Sequence, residues 1–320
     1  MALMGFERKV DFSRLRNMRC GKCGYEEGFS HEWLDAWSQG EVGCPSCGIT
    51  SDHPQRARYT YDFSDISCDR DRITRLNWYH TSVLKDWPSR NFDPLSVYPK
   101  SEQEGIIKNM GDVELESWLT EQKAKALHVG TFEAALENML RRMEDQGDSN
   151  SQFYLYRVNL RDDSPVSSAV NKEPASIFGD VHFDKLGVDR SEIYRYVNSR
   201  EDPSSISLAL TIDSVTSVQR VSIPMSPVDS VEVEGIRDVL CEAQKIPRQE
   251  IDSFISQAWK RRGLEPEYTN PYRDELKAQV EKLANQLPGR IRDLFVSVVT
   301  CGALRRKGYA LAASYIVGMR

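Results

Sequence analysis

The sequence predicts an α+β chain in three parts: a cysteine-paired ribbon over residues 1–60, a mixed α/β domain over 61–228 and a helical region over 229–320. Three observations predict it. Two CxxC pairs stand near the N-terminus, short β-type runs surround one strongly amphipathic helix in the middle, and from about residue 230 the apolar spacing is helical. The length of 320 residues holds two or three ordinary domains. Hydrophobic residues at 40%, charged residues at 28% and a mean hydropathy of −0.53 describe a soluble globular chain. No apolar run approaches the ~20 residues of a membrane span. The N-terminus lacks the apolar stretch of a secretion signal, so a cytoplasmic location without membrane contact is expected.

The ribbon comes first. Cys20-Gly21-Lys22-Cys23 and Cys44-Pro45-Ser46-Cys47 are separated by twenty residues, and glycine follows each pair at Gly24 and Gly48. Four thiolates from two such knuckles suit the tetrahedral preference of Zn²⁺. The glycines let the backbone turn so that its N–H groups face sulfur. A redox role needs only one pair and a strand–helix setting that neither has. Structural Zn²⁺ on Cys20, Cys23, Cys44 and Cys47 is therefore expected, supplying folding energy to a module too small for its own core. Cys68, Cys241 and Cys301 have no comparable setting and read as ordinary thiols.

The middle region follows. Leu76–His80 reads as a short buried strand, and Trp87-Pro88 with Asp93-Pro94 as a loop. Asp112 is placed to cap a helix over Val113–Ala126. Leu127–Val129 is a brief strand. Thr131 then caps a helix in which Phe132, Ala135, Leu136, Met139, Leu140 and Met143 form one apolar stripe. Phe153–Leu160 has strand composition, a polar loop covers 161–179, and Val181–Phe183 reads as a short strand. Ile206–Ile212 and Val215–Ile223 read as a strand pair joined by Asp213-Ser214. Helices are expected over Val231–Ala243, Arg248–Arg261 and Arg273–Leu287, with one or two more after Pro288.

Net charge is −6, so the chain as a whole is no polycation. The ends differ from the average. Residues 1–22 carry +4 and residues 288–320 carry +5, although over 1–60 eight bases meet eight acids. A basic groove for a polyanion, formed by strip and tail, is one reading; ordinary solvated faces are the other.

Three short segments carry candidate chemistry. They are Trp78-Tyr79-His80-Thr81-Ser82, a strand reaching a histidine and two hydroxyls; Leu127-His128-Val129-Gly130-Thr131, a strand passing through glycine into a capped helix; and Tyr194 to Ser207, a polar and aromatic turn with Glu201 before a strand. Sites on α/β scaffolds gather where strand ends meet loops.

In this order the segments resemble the ADP-ribosyltransferase superfamily, in its histidine-containing diphtheria-toxin and poly-ADP-ribose-polymerase branch. YHTS is similar to its HG[TS] segment, with Thr81 where the family has glycine. ALHVGTFEAAL is similar to the strand-into-helix segment bordering the nicotinamide pocket, with His128 where a stacking tyrosine is usual. YRYVNSRED would supply the glutamate. The resemblance covers about residues 74–223 and implies a central split-sheet ADP-ribosyltransferase-like domain using NAD as co-substrate. It makes Glu201 and His80 the catalytic candidates. Thr81, Ser82, His128, Gly130, Thr131, Tyr196 and Asn198 become the candidates for holding NAD. Glu201 would stabilise the positive charge that develops as the nicotinamide–ribose bond breaks, and His80 would orient a ribose hydroxyl.

The expected activity is NAD-dependent mono-ADP-ribosyl transfer, or NAD hydrolysis, with a protein or nucleic-acid acceptor. The alternative is a non-catalytic zinc-ribbon adaptor for nucleic acid or a protein partner. RNA 2′-phosphotransfer, a reaction of the same fold, has less support, since YHTS and LHVGT lack the arginines it relies on. No GxGxxG, Walker loop, HExxH or GxSxG is present to favour dehydrogenase, NTPase, zincin or α/β-hydrolase chemistry.

Overall fold

The computed structural model describes residues 5–98, 100–145, 152–174, 181–221 and 272–284, with single positions at 238, 249, 250, 257, 268, 269, 292 and 296. Two compact units result: Met1–Met139 with Gln152–Ser222, and Leu140–Ser151 with Ile223–Arg320. The cysteine ribbon and the α/β region, expected as separate domains over 1–60 and 61–228, share the first unit. Among the described residues, no helix is long and apolar enough to cross a membrane.

The ribbon is a three-stranded antiparallel sheet of order β2-β1-β3, formed by β1 (Arg16–Arg19), β2 (Glu26–Phe29) and β3 (Arg58–Tyr59). A two-turn helix, α1 (His31–Ser38), lies between the knuckles and is capped by the Ser30 hydroxyl, which accepts from Trp33 N. Eight residues are too few to display a period, so the sequence pattern does not announce this helix. Its apolar face closes a small core of Met18, Phe29, Leu34, Trp37 and Ala57. The rings of Phe29, Trp33 and Trp37 stack in series at 3.8 and 5.4 Å.

The α/β part contains two sheets. One, of order β10-β6-β4, is fully antiparallel and uses β4 (Trp78–Ser82), β6 (Tyr154–Leu160) and β10 (Val215–Val221). The other, of order β5-β9-β8-β7, uses β5 (Leu127–Val129), β7 (Asn171–Lys172), β8 (Tyr194–Val197) and β9 (Ile206–Leu210). A single bridge joins them. Tyr79 and Gly130 exchange two backbone hydrogen bonds of 2.9 Å, so β4 meets β5 at one residue pair and the sheets diverge on either side. Trp78, Val129, Val158, Ile193, Ile206, Leu208 and Leu210 form the shared core. Every residue of β9 is buried, which makes it the central strand of its sheet.

The long amphipathic helix is α4 (Phe132–Asp145), and Thr131 caps it as expected, its hydroxyl accepting from Ala134 N at 3.1 Å. Two carboxylates, Glu133 and Glu137, are buried on it beside the apolar stripe. The helices α2 (Lys100–Asn109) and α3 (Asp112–Lys123) precede it. Gly111 occupies the N-cap of α3, and Asp112 sits one position later, in the first turn, where its charge favours the positive helix end.

Three expectations are corrected. Val181–Phe183 is not a strand: His182 makes one bridge to Lys125, and a 3-10 turn over Phe183–Lys185 follows. The runs expected as a strand pair form strands over 206–210 and 215–221, but these do not pair with each other. A 3-10 turn at Ile212–Ser214 sends β10 to the other sheet, where it pairs with β6. In the second unit, β11 (Gln249–Glu250) and β12 (Tyr268–Thr269) pair antiparallel, so the expected helix over 248–261 does not begin at its N-terminal end. There the helix α5 (Arg273–Ala284) buries Leu276, Val280 and Ala284, at i, i+4 and i+8. The helix expected over 231–243, the segments after Pro288 and most of the basic tail lie outside the described residues.

Candidate functional site

The four cysteines converge. Their sulfurs all lie within 4.8 Å of one another, with Cys20 Sγ 3.7 Å from Cys47 Sγ and Cys23 Sγ 3.7 Å from Cys44 Sγ. A Zn–S bond of about 2.3 Å gives a tetrahedron with edges of about 3.8 Å, whereas a disulfide needs about 2.05 Å. The donor set and spacing fit a tetrahedral zinc ion.

The two knuckles repeat one backbone pattern. Cys20 N donates to Tyr25 O and Gly24 N to Cys20 O; Cys44 N donates to Ile49 O and Gly48 N to Cys44 O. Gly24 and Gly48 close these turns at φ +76° and +73°, where a side chain is strained. A Cβ on Gly43 would stand 2.5 Å from Gly48 O, so the second knuckle closes only over glycine. The Tyr25 backbone draws the Cys23 thiol down to about 6. The Ile49 backbone acts likewise on Cys47, but burial and the neighbouring thiols prevail and lift that thiol to about 11. Crowded sulfurs repel once ionised, and a dication among them removes that repulsion.

Cys68 stands apart. Burial, with the charges of Asp65 and Asp62, pushes its thiol up to about 12. At pH 8 its alkylation is expected to run about 10³-fold slower than that of a free thiol. Mass spectrometry after timed iodoacetamide treatment of the folded protein checks this, and labelling at the free-thiol rate would contradict it.

The second centre lies where β4 meets β5. His80 stacks on Trp87 at 4.0 Å and 17°, and Tyr156 packs on the same indole. Strand alternation puts Thr81 on the opposite face. There its hydroxyl is buried and donates to Ala135 O at 2.9 Å. The Ser82 hydroxyl is also buried and accepts from Leu84 N. Both hydroxyls therefore hold the end of β4 in place. Arg195, in the third segment, is likewise buried and donates to the carbonyls of Cys68, Ser167 and Ser168.

Across the bridge, His128 Nδ1 lies 2.8 Å from the Tyr196 hydroxyl. Burial raises the Tyr196 phenol well above its ordinary value, so it meets the imidazole as a neutral hydroxyl. Asn198 organises the turn that follows β8. Its Oδ1 accepts from Arg200 N and Glu201 N, each at 3.0 Å, and its Nδ2 donates to Ser207 Oγ at 2.9 Å. A Cβ on Gly130 would come within 3.1 Å of that same Ser207 Oγ and of Ala134 Cβ, so glycine permits the close approach. Glu201 is 8% exposed and accepts from Asn138 Nδ2 of α4 at 3.3 Å.

The residue beside Glu201 holds the turn. Asp202 is fully buried at φ +47°, and Ser204 lies at φ +67°. Asp202 Oδ2 accepts from the Thr131 hydroxyl at 2.8 Å, and its backbone N–H donates to Glu137 Oε2 at 2.6 Å. Arg14 and Arg16 reach Asp202 Oδ1 from the start of the ribbon at 2.7 and 3.1 Å. Arg14 also donates to Pro203 O and Ser204 Oγ. Nearby, Arg8 joins Asp65 and Glu133, each at 2.7 Å. Burial alone would lower the Arg8 pKa, but its hydrogen bond to Asp65 and the two anionic charges raise it instead. Half of the cations in residues 1–22 thus form ion pairs within the fold and are not open to an anion.

The second centre therefore gathers the three segments around Gly130. His80 follows the bridge partner Tyr79, and Glu201 precedes the aspartate tied to Thr131. The Asp202 clamp is absent from the sequence reading. Its signal is an arginine pair at i and i+2 facing an acidic turn 188 residues away, which no local pattern connects. Comparison with models of protein families, with curated proteins and with solved structures gave no match.

Proposed function

We propose that the two bridged sheets form an ADP-ribosyltransferase-like domain, and that the protein cleaves the nicotinamide–ribose bond of NAD⁺ at the seam between β4 and β5. The observation that carries the reading is that the strand of His80, the strand of His128 with its Tyr196 partner, and the Asn198 turn that bears Glu201 are brought together around the Tyr79–Gly130 bridge. In the reaction the bond from ribose C1′ to nicotinamide N1 breaks, and nicotinamide leaves with the electron pair. The ribose becomes oxocarbenium-like. Glu201 accepts a hydrogen bond from the 2′-hydroxyl and stabilises that charge. His80, held against Trp87, orients a ribose hydroxyl. The His128–Tyr196 pair borders the nicotinamide ring, and Asn198 positions Glu201 by accepting from its N–H. Thr131 and Asp202 hold the turn, while Gly130, Thr81 and Ser82 shape the strand ends. A nucleophile then attacks C1′ and loses its proton. With water the product is ADP-ribose; with a protein or nucleic-acid group it is the mono-ADP-ribosylated acceptor. Zn²⁺ on the four cysteines is structural.

The second reading is a non-catalytic adaptor. The burial of the Thr81 and Ser82 hydroxyls and the small exposure of Glu201 favour it, because a substrate must reach such groups.

NAD⁺ carrying separate labels on nicotinamide and adenine distinguishes the readings. The enzyme releases labelled nicotinamide, and the adenine label appears in free ADP-ribose or on an acceptor from lysate. Neither label moves with the adaptor.

A further inference from the structure

A cleft of about 650 Å³ opens between the ribbon and the edge of the second sheet, and neither Glu201 nor His80 lines it. That volume lies in the range of sites that take small ligands or single residues of a polymer. Val170 and Val197 contribute apolar surface and Tyr59 and Tyr61 half-buried aromatic rings, over a floor formed by the buried Met18 and Trp37. Phe63, 77% exposed, packs on Tyr61 with ring centroids 4.4 Å apart and extends the aromatic surface outward. Three cations also line the cleft: Arg56 and Arg58, at i and i+2 along the strand entering β3, and Lys172 on β7 opposite. All three are exposed and have no ion-pair partner among the described residues, unlike the buried Arg8, Arg14 and Arg16. The one carboxylate lining it, Glu173, accepts from Ser199 N and Ser199 Oγ, so it is engaged on its own side.

We infer that this cleft binds single-stranded nucleic acid. Cations that track phosphates, interleaved with rings on which bases stack, recognise an unpaired strand whatever its sequence. A duplex keeps its base faces stacked and has no use for the rings. An acidic peptide would use the cations and leave the aromatic surface idle. The inference concerns a second site and does not rest on the transferase reading.

The test is fluorescence anisotropy of labelled oligo-dT and oligo-U of about twelve nucleotides, titrated with the full chain at about 50 and about 200 mM salt. Wild type is expected to bind both. The variant R56A/R58A/K172A, changed only at exposed side chains, is expected to bind at least tenfold more weakly, with a log–log salt slope smaller by about 2. Phe63→Ala is expected to weaken binding severalfold and leave the slope unchanged. Unchanged zinc content in both variants shows an intact ribbon. Any of four results overturns the inference: no binding by wild type, equal binding of a matched duplex, wild-type affinity in both variants, or competition by poly-glutamate as effective as by oligo-dT. No NAD⁺ is present, so failure here leaves nicotinamide release to be judged separately.

Discussion

Replacing Asp202 by alanine is expected to cost about 3–5 kcal/mol of stability, because it leaves the guanidinium groups of Arg14 and Arg16 buried without their shared carboxylate. The loss has three parts. The Thr131 hydroxyl loses its acceptor, the two arginines lose their counter-charge, and alanine must occupy φ +47°. Asp202→Asn keeps an acceptor and tolerates the left-handed backbone, so it is expected to fall between alanine and wild type. Urea denaturation followed by tryptophan fluorescence measures both. An alanine variant within about 1 kcal/mol of wild type would show that Asp202 does not anchor the turn.

Cys44→Ser is expected to abolish zinc binding and unfold the ribbon. Structural zinc sites contribute about 10–16 kcal/mol in small modules, more than the core of Met18, Phe29, Leu34, Trp37 and Ala57 can replace. The effect should spread. Arg14 and Arg16 belong to the ribbon's first strand and its lead-in, and they meet Asp202 next to Glu201. Loss of the metal therefore loosens the turn that presents the glutamate, although no cysteine lies in that turn. Elemental analysis reads the zinc, limited proteolysis reads residues 1–60, and fluorescence of Trp33 and Trp37 reads the ring stack. A wild-type protein without zinc, whose four thiols react freely, would contradict the metal site.

The parts of the fold legible in the sequence are those whose signal is local. The CxxC spacing predicts the sulfur cluster, and the apolar period from Phe132 to Met143 predicts α4. The run from Phe153 to Leu160 predicts β6, which begins one residue later at Tyr154. What escaped was set by distant partners. The composition of 215–223 marks a strand, but its pairing with β6 follows from the 3-10 turn at Ile212–Ser214, which no propensity announces. Two-residue strands such as β7 carry no period at all. In the candidate site, Glu201 and His80 are legible as polar groups at strand ends. Asp202, one residue further, is the more deeply buried carboxylate. Its role depends on Arg14 and Arg16, which by charge alone read as a surface strip. Charge counted along the chain cannot distinguish a cation facing solvent, such as Arg58, from one inside an ion pair, such as Arg16.

In the proposed reaction one turn divides the labour: Glu201 acts on NAD⁺ while Asp202 holds the turn in place. Nicotinamide release per folded molecule, compared between wild type and Glu201→Gln, tests it most directly. Release by Glu201→Gln is expected to fall about 10²-fold or more, with the denaturation midpoint unchanged. Equal release by the two proteins, or none from zinc-loaded wild type with lysate as acceptor, would contradict it.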